Sequence, residues 1–371
     1  MSRKSKQDTL REAASNLADS GMSCEDTDLG AVKGWLSTGC TILDLAIANR
    51  LPGGFPSGRV SHVFGAEATA KTILALEPLG SAQRQGGVAS YQDSEGTFDA
   101  GRAKLLHGID LSPERWHYYN PETIEDLWDN QLPLAIEKTS SVPIGAMAVD
   151  SLTAIPAAVE VETKKGRAAT LSDTGYGTHR AKQLSSAFRH YRHPLNSVNM
   201  GLIFIDQARD DIGGFGSSEK TSSGRAILFY SSVRVHLYHA GWITNATSKI
   251  TYGVKIKFTV EKNKVAPPYR KGEFYLYFDY GIDDVETNLR WLKDIVGGDY
   301  QIGDFSSSRI DLAVKHVEEN QLEGMLRDTV HAVWKELYKP VERKARVRFD
   351  GNTENATNSE EDVPVNNTAS S

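Results

Sequence analysis

At 371 residues, with 39% hydrophobic and 24% charged residues, the chain has the composition of a folded globular protein and not of a disordered or fibrous one. Cys24 and Cys40 lie in no metal-spaced pattern, no apolar run is long enough to span a bilayer, and Met1-Ser2-Arg3-Lys4 opens no apolar signal core. A disulfide scaffold, a membrane span and secretion are thereby disfavoured, and a cytoplasmic location is expected. The net charge of −6 hides its distribution: Asp350 to Ser371 holds five acidic residues and no Lys or Arg, whereas basic residues gather between Lys164 and Arg192.

Residues 1–33 read as an N-terminal segment with one short helix, Gln7 to Leu17, that places Leu10, Ala13, Ala14 and Leu17 on one face. Residues 34–283 then alternate short apolar runs with helical or polar segments. The predicted strands are Val60–Phe64, Val88–Gln92, Gly145–Asp150, Leu202–Asp206, Ser232–Tyr238, Val254–Val260 and Glu273–Phe278. Continuous apolar strands separated by helices predict an α/β fold with a mostly parallel, doubly covered central sheet; the alternating later strands predict an antiparallel extension. Residues 284–349 read as a small helical C-terminal domain, with helix over Asn288–Ile295 and again over Ser308–Tyr338. In the second stretch Leu312, Val317, Leu322, Leu326, Val330, Val333 and Leu337 are spaced for a buried stripe that Pro340 ends. Residues 350–371 lack the apolar content for a core and read as a disordered acidic tail.

The first strand runs into Gly65-Ala66-Glu67-Ala68-Thr69-Ala70-Lys71-Thr72-Ile73 and then into an apolar helix start. This is a P-loop with one departure, since Ala70 stands where the pattern places Gly. A phosphate site needs inward backbone N–H groups at a helix N-terminus, a lysine for the terminal phosphates and a hydroxyl for Mg²⁺; Gly65, Lys71 and Thr72 supply these features. The alternative is an ordinary strand–turn–helix junction. Three further strand ends bear on that choice. Asp150 ends an apolar strand where a carboxylate supports magnesium, Glu95 follows Tyr91-Gln92-Asp93-Ser94 as a base for the attacking water, and Gln207 brings an amide to a terminal phosphate. Each alone could be structural, but polar groups at the carboxyl ends of parallel strands converge on one crevice.

Two segments lack apolar periodicity. Glu160 to Thr178 carries Lys164, Lys165 and Arg167 among glycines; Ala208 to Arg225 carries four glycines with Arg209, Lys220 and Arg225. Glycine-containing basic loops suit a phosphate backbone gripped without sequence preference, though two solvated surface loops would look the same. The basic helix from Arg180 to Arg192 reads as a solvated face.

The phrases LSTGCTILDLAI, YQDSEGTFD, AVDSLTAIP, GLIFIDQARDDIG, SGRAILFYSSVRVHL and VEKNKVAPPYRKGEFYLYFDYGI resemble the RecA family, including its phage members of the UvsX type, from about residue 36 to 283. The resemblance implies a RecA-type ATPase core and an ATP-dependent recombinase that forms homo-oligomeric helical filaments on single-stranded DNA. Such a protein pairs that strand with double-stranded DNA and works beside mediator and single-strand-binding proteins. ATP and Mg²⁺ are the implied ligands. Lys71 and Thr72 would hold phosphate and metal, Asp150 would support the metal, Glu95 would be the base and Gln207 would report the terminal phosphate to the second DNA loop. Lys262 and Lys264 match a pair that reaches a neighbour's ATP, and Phe229 matches an interface residue. Asp99 and Phe278 match base-proximal positions, and Arg102 replaces a stacking Tyr. Ser223 replaces one of two paired glycines in the second loop and leaves Gly224. The resemblance also makes residues 1–33 an oligomerisation segment, whose face of Leu10, Ala13, Ala14 and Leu17 would dock on the next subunit, and the acidic tail is similar to the family's acidic ends. A hexameric DNA motor of the same superfamily and a weakly hydrolysing DNA-binding scaffold, the latter motivated by Ala70, are the rival readings.

Overall fold

The computed structural model describes residues 31–161, 176–209, 220–221, 224–245 and 247–339. The proposed N-terminal helix, the acidic tail and most of both candidate DNA loops, including Lys164, Lys165, Arg167 and Ser223, lie outside the described residues.

In chain order the leading elements are β1 (Trp35–Leu36), α1 (Thr41–Ala48), β2 (Phe55–Pro56), β3 (Val60–Gly65), α2 (Lys71–Arg84), β4 (Val88–Asp93), α3 (Ala100–His107) and β5 (Trp116–Tyr119). A helical stretch from Ile124 passes through a π turn at Leu127–Gln131 and closes as α4 (Leu132–Thr139). Then come β6 (Gly145–Asp150), α5 (Tyr176–Ser197), β7 (Met200–Arg209), β8 (Lys220–Thr221), α6 (Gly224–Tyr230), β9 (Val233–Thr244), β10 (Thr251–Asn263), β11 (Lys271–Tyr277) and β12 (Gly281–Asp283).

These strands form one sheet in the order β12-β11-β10-β9-β3-β7-β6-β4-β5, with β8 paired to β7 outside that path. From β9 to β5 all neighbours are parallel, and β10, β11 and β12 extend the sheet antiparallel, as the sequence predicts. Strand periodicity explains the double cover. Ala146, Ala148, Ile203 and Ile205 face one apolar cluster, whereas Met147, Val149, Leu202 and Phe204 face the other. Phe204 is fully buried, so its truncation to Ala would cost about 3–5 kcal/mol. β5 has no counterpart among the predicted strands, because its WHYY run is only four residues long and, at the sheet edge, buries Trp116 alone.

The chain after β12 continues as α7 (Asp284–Val296), the hairpin β13 (Tyr300–Ile302) and β14 (Phe305–Ser307), α8 (Ile310–Glu319) and α9 (Glu323–Leu337). The hairpin was not predicted, and the single helical stretch expected over Ser308–Tyr338 is two helices. The chain turns at Asn320–Leu322, where Gln321 takes a left-handed φ of 54°. The apolar spacing misleads because both helices press Val317, Leu326 and Val330 into the same core, while Leu312 and Leu337 face solvent. Two contacts tie this region to α1: the Asp284 carboxylate accepts from Thr41 N at 2.6 Å and Thr41 Oγ1 at 2.7 Å, and Trp334 Nε1 donates to Asn49 Oδ1 at 3.1 Å.

Asp283 caps α7 by accepting from Glu286 N at 2.7 Å, yet burial, Glu286, Glu318 and Asp284 push its pKa up to about 6. A carboxyl with a raised folded-state pKa favours the fold fully below its unfolded pKa, and that contribution is lost as pH rises through about 6. Asp283→Asn keeps the cap and removes the charge. Urea unfolding should show no gain for the variant at pH 4 and a gain on the order of 2 kcal/mol at pH 7.

Candidate active site

The carboxyl ends of β3, β4, β6 and β7 open into one cleft of about 380 Å³, whose walls include Glu67 to Ile73, Glu95, Asp150, Ser151 and Gln207. Five groups named separately in the sequence (Lys71, Thr72, Glu95, Asp150 and Gln207) are thus brought together. The loop from Gly65 to Ala70 begins where β9 passes closely: a Cβ on Gly65 would lie 2.5 Å from Leu237 O and 2.8 Å from Thr69 Oγ1. Gly is required there by space. At its other end Ala70 precedes the first turn of α2 with φ 62°, and Ala68 has φ 56°. The departure at position 70 therefore places a Cβ in the left-handed region, at a cost of about 1–2 kcal/mol.

Ala70→Gly should relieve this strain, partly offset by the wider freedom that Gly has when unfolded, about 0.5–1 kcal/mol. A small rise in thermal midpoint with ATP binding retained is the expected result of differential scanning and nucleotide titration. Loss of nucleotide binding would contradict it.

Lys71 leans back over the loop, its Nζ donating to Ala66 O at 2.5 Å. Burial lowers its pKa, opposed by Asp150, Glu95 and Glu67. Thr72 Oγ1 donates to Asp150 Oδ2 at 2.7 Å, and Tyr91 OH donates to the same oxygen at 3.1 Å. Burial pushes the Asp150 carboxyl above its ordinary range. A hydroxyl and a carboxylate oxygen side by side are hard donors that fit Mg²⁺, which takes one or two protein ligands and completes its shell with water and substrate phosphates. Glu95 Oε1 accepts from Ser151 Oγ at 3.1 Å, and Gln207 Nε2 donates to Glu67 Oε1 at 2.9 Å, joining the end of β7 to the phosphate loop.

Some positioning groups escaped the sequence reading. Asp93 is fully buried and accepts from Glu95 N at 3.2 Å, Gly96 N at 2.8 Å, Phe98 N at 2.9 Å and Tyr118 OH at 3.1 Å, so it shapes the turn that presents Glu95. Its signal was an Asp two residues before a candidate base at a strand end. Arg180 corrects the solvated-face reading of its helix. Its guanidinium donates to Leu152 O and, at 3.4 Å, to Thr153 O, just beyond Ser151.

The base-proximal candidates sit apart from the phosphate cleft. Asp99 caps α3 by accepting from Arg102 N at 3.0 Å, and Arg102 Nη2 donates to Phe278 O at 2.8 Å, so these three are neighbours. At the other end of β10, Lys262 Nζ donates to Leu228 O at 2.5 Å and Phe229 O at 2.9 Å. Phe229 is 68% exposed, and with Lys264 it lines a cleft of about 330 Å³. Of the DNA-loop candidates only backbone positions are described: Arg209 ends β7, Lys220 opens β8, and Gly224 and Arg225 open α6.

The fold and this cleft define a P-loop ATPase of the doubly covered sheet type, with Glu95 and Asp150 lining the cleft beside the loop. The sequence profile of the RecA N-terminal domain matches residues 19–283. The chain is 33% identical over 310 residues to the RecA protein of Borrelia hermsii, covering 80% of this chain and 82% of that one. It is 34% identical over 292 residues to RecA of Crocosphaera subtropica, covering 77% and 78%. RecA of Thermus aquaticus is 36% identical over 251 residues, covering 67% and 68%. The chain belongs to the RecA family, and it is an ATP-dependent recombinase of DNA recombination and repair and a DNA-dependent ATPase.

Proposed function

We propose that the protein assembles as a helical filament on single-stranded DNA, that each ATP is sandwiched between two subunits, and that the filament pairs its strand with homologous double-stranded DNA. One observation carries the reading. Lys264 N bonds Ser232 O at 2.9 Å and Ser232 N bonds Val60 O at 2.7 Å, so the lysine lies beside the first residue of β3, while the phosphate loop starts at its last. Five residue steps along a strand span about 17 Å, well beyond the reach of a lysine side chain. Lys262 pairs with Arg234, three steps from Gly65. Neither lysine serves its own phosphate loop; a neighbour's nucleotide is the partner that suits both, with Phe229 in the contact.

In hydrolysis, Glu95 accepts a proton from water as the water oxygen bonds to the γ-phosphorus and the bond to the β-bridging oxygen breaks, releasing ADP and phosphate. Lys71 and the loop N–H groups hold the phosphates, and Gln207 senses the terminal one. Thr72 and Asp150 would hold Mg²⁺, which supplies charge neutralisation on the phosphate oxygens. Asp99, Arg102 and Phe278 form the adenine side. Lys164, Lys165, Arg167, Arg209, Lys220, Ser223, Gly224 and Arg225 serve the DNA backbone. Single-strand-binding and mediator proteins are the expected partners in a cytoplasmic setting; among the described residues no helix is long and apolar enough to cross a membrane.

Electron microscopy with single-stranded DNA, ATP and magnesium tests the reading. Continuous helical filaments are expected. Closed rings would favour the motor, and DNA binding unaffected by ATP would favour the scaffold.

A further inference from the structure

Parallel strands covered on both faces are normally apolar throughout, and the cluster facing α2 obeys this, with Val63, Ile205, Val235 and Val260 side by side. On the opposite face the same strands carry a chain of ionisable groups. Asp206 on β7 and His62 on β3 are both fully buried, with Oδ2 and Nε2 2.9 Å apart. Arg234 on β9 donates from Nε to His62 Nδ1 at 3.3 Å and from Nη1 to Glu261 Oε2 on β10 at 3.1 Å. Glu261 Oε1 also meets His236 Nδ1 at 3.1 Å. Phe64 stacks on both imidazoles, with ring centroids at 5.1 and 4.3 Å, and the Arg234 guanidinium lies 4.5 Å over its ring.

The bonds run in one sense. Because His62 Nδ1 accepts from Arg234, its proton must sit on Nε2 and point to Asp206, which fixes one neutral tautomer. Burial, which lowers the His62 pKa, agrees with that form. Such groups are costly to bury, and apolar residues would hold a sheet together at least as well. What the chain adds is geometric: a slip of one strand against the next breaks a directed bond. Its ends lie beside functional positions. Asp206 precedes Gln207, Phe64 precedes Gly65 and Glu261 precedes Lys262.

We propose that Asp206, His62, Arg234 and Glu261 form a positioning chain across four strands. It makes the end of β7 that senses a subunit's own nucleotide and the end of β10 that reaches the neighbour's nucleotide shift as one unit. The proposal rests on Lys262 acting on a neighbour. It predicts that nucleotide state, read at Gln207, controls self-assembly through this chain and not through the loops alone.

The measurement is the protein concentration for half-maximal assembly on single-stranded DNA with ATP and with ADP; their ratio reports the coupling. Arg234→Met/Glu261→Met removes two opposite charges together, so neither member of that ion pair is left buried without the other. This variant should bind ATP as a dilute subunit with parental affinity, yet lose at least tenfold of the ATP-to-ADP assembly ratio. Should that variant fail to fold, Glu261→Gln, which keeps the volume, decides with an expected loss of at least threefold. A purely structural role would weaken assembly equally with both nucleotides. A ratio within twofold of the parental value in the folded variant overturns the chain. Lys262→Ala separates the two ideas. If it leaves the ratio parental, the action on a neighbour is wrong and the chain falls with it; if it abolishes the ratio while Arg234→Met/Glu261→Met does not, the chain alone is wrong.

Discussion

Glu95→Gln should bind ATP within about twofold of the parental affinity and hydrolyse it 10²–10⁴-fold more slowly on single-stranded DNA, the span that a lost general base commands. The carboxylate is held in the cleft by Ser151 Oγ, and its turn is fixed by three N–H bonds to Asp93, which also accepts from Tyr118 OH. Gln preserves the side-chain length and can still accept from Ser151, so the cleft keeps its shape. It cannot take the proton of the attacking water. Single-turnover hydrolysis measured alongside equilibrium nucleotide binding separates the two effects, and a parental rate on DNA would remove Glu95 from the role. Asp93→Ala should reach a similar loss indirectly, because the turn loses its acceptor for three N–H groups; there Glu95 remains chemically competent, and the defect should ease at lower temperature.

The sheet was legible because its signals are local. Each predicted run, from Val60–Phe64 to Glu273–Phe278, overlaps an observed strand; the observed strands begin at or within three residues of the predicted starts and extend furthest at β9 and β10, whose outer ends leave the core and are at least partly exposed. Chain order also placed Glu95, Asp150 and Gln207 at strand ends, from which their convergence follows once the strands are parallel. Three kinds of information were not local. The split between α8 and α9 is invisible to a periodicity that continues across the turn at Gln321. Asp93 and Arg180 act through backbone groups, leaving no pattern of side-chain partners in the sequence. The buried polar chain was hidden because His62, Arg234 and Glu261 come from separate strands and meet only through the parallel register of β3 with β9, which pairs His62 with Arg234. The antiparallel register of β10, which shifts between Val260 and Lys262, completes the chain.

Replacing Lys262 and Lys264 together by Ala should abolish DNA-stimulated hydrolysis without unfolding the protein. Lys264 is exposed, and Lys262 gives up two bonds to carbonyls near the surface, a loss of about 1–2 kcal/mol. The variant should still bind ATP as an isolated subunit, since its own cleft is intact. Mixing is the decisive measurement. Equal amounts of Glu95→Gln and Lys262→Ala/Lys264→Ala protein should recover about a quarter of parental turnover, because a head-to-tail interface joins an intact cleft to intact lysines in one arrangement of four. No recovery in filaments that contain both proteins would refute completion by a neighbour. A pH series adds an independent check. Burial, Lys264 and Arg234 pull the Lys262 amine down to about 8, so in the isolated subunit it is charged below that pH and neutral above it. Engaging phosphate requires the charged form, so assembly above that pH must take up a proton. The protein concentration for half-maximal turnover should therefore rise above pH 8, by up to about tenfold per unit. Lys262→Arg, whose guanidinium stays charged throughout, should remove that rise if its longer side chain still reaches the neighbour's phosphate.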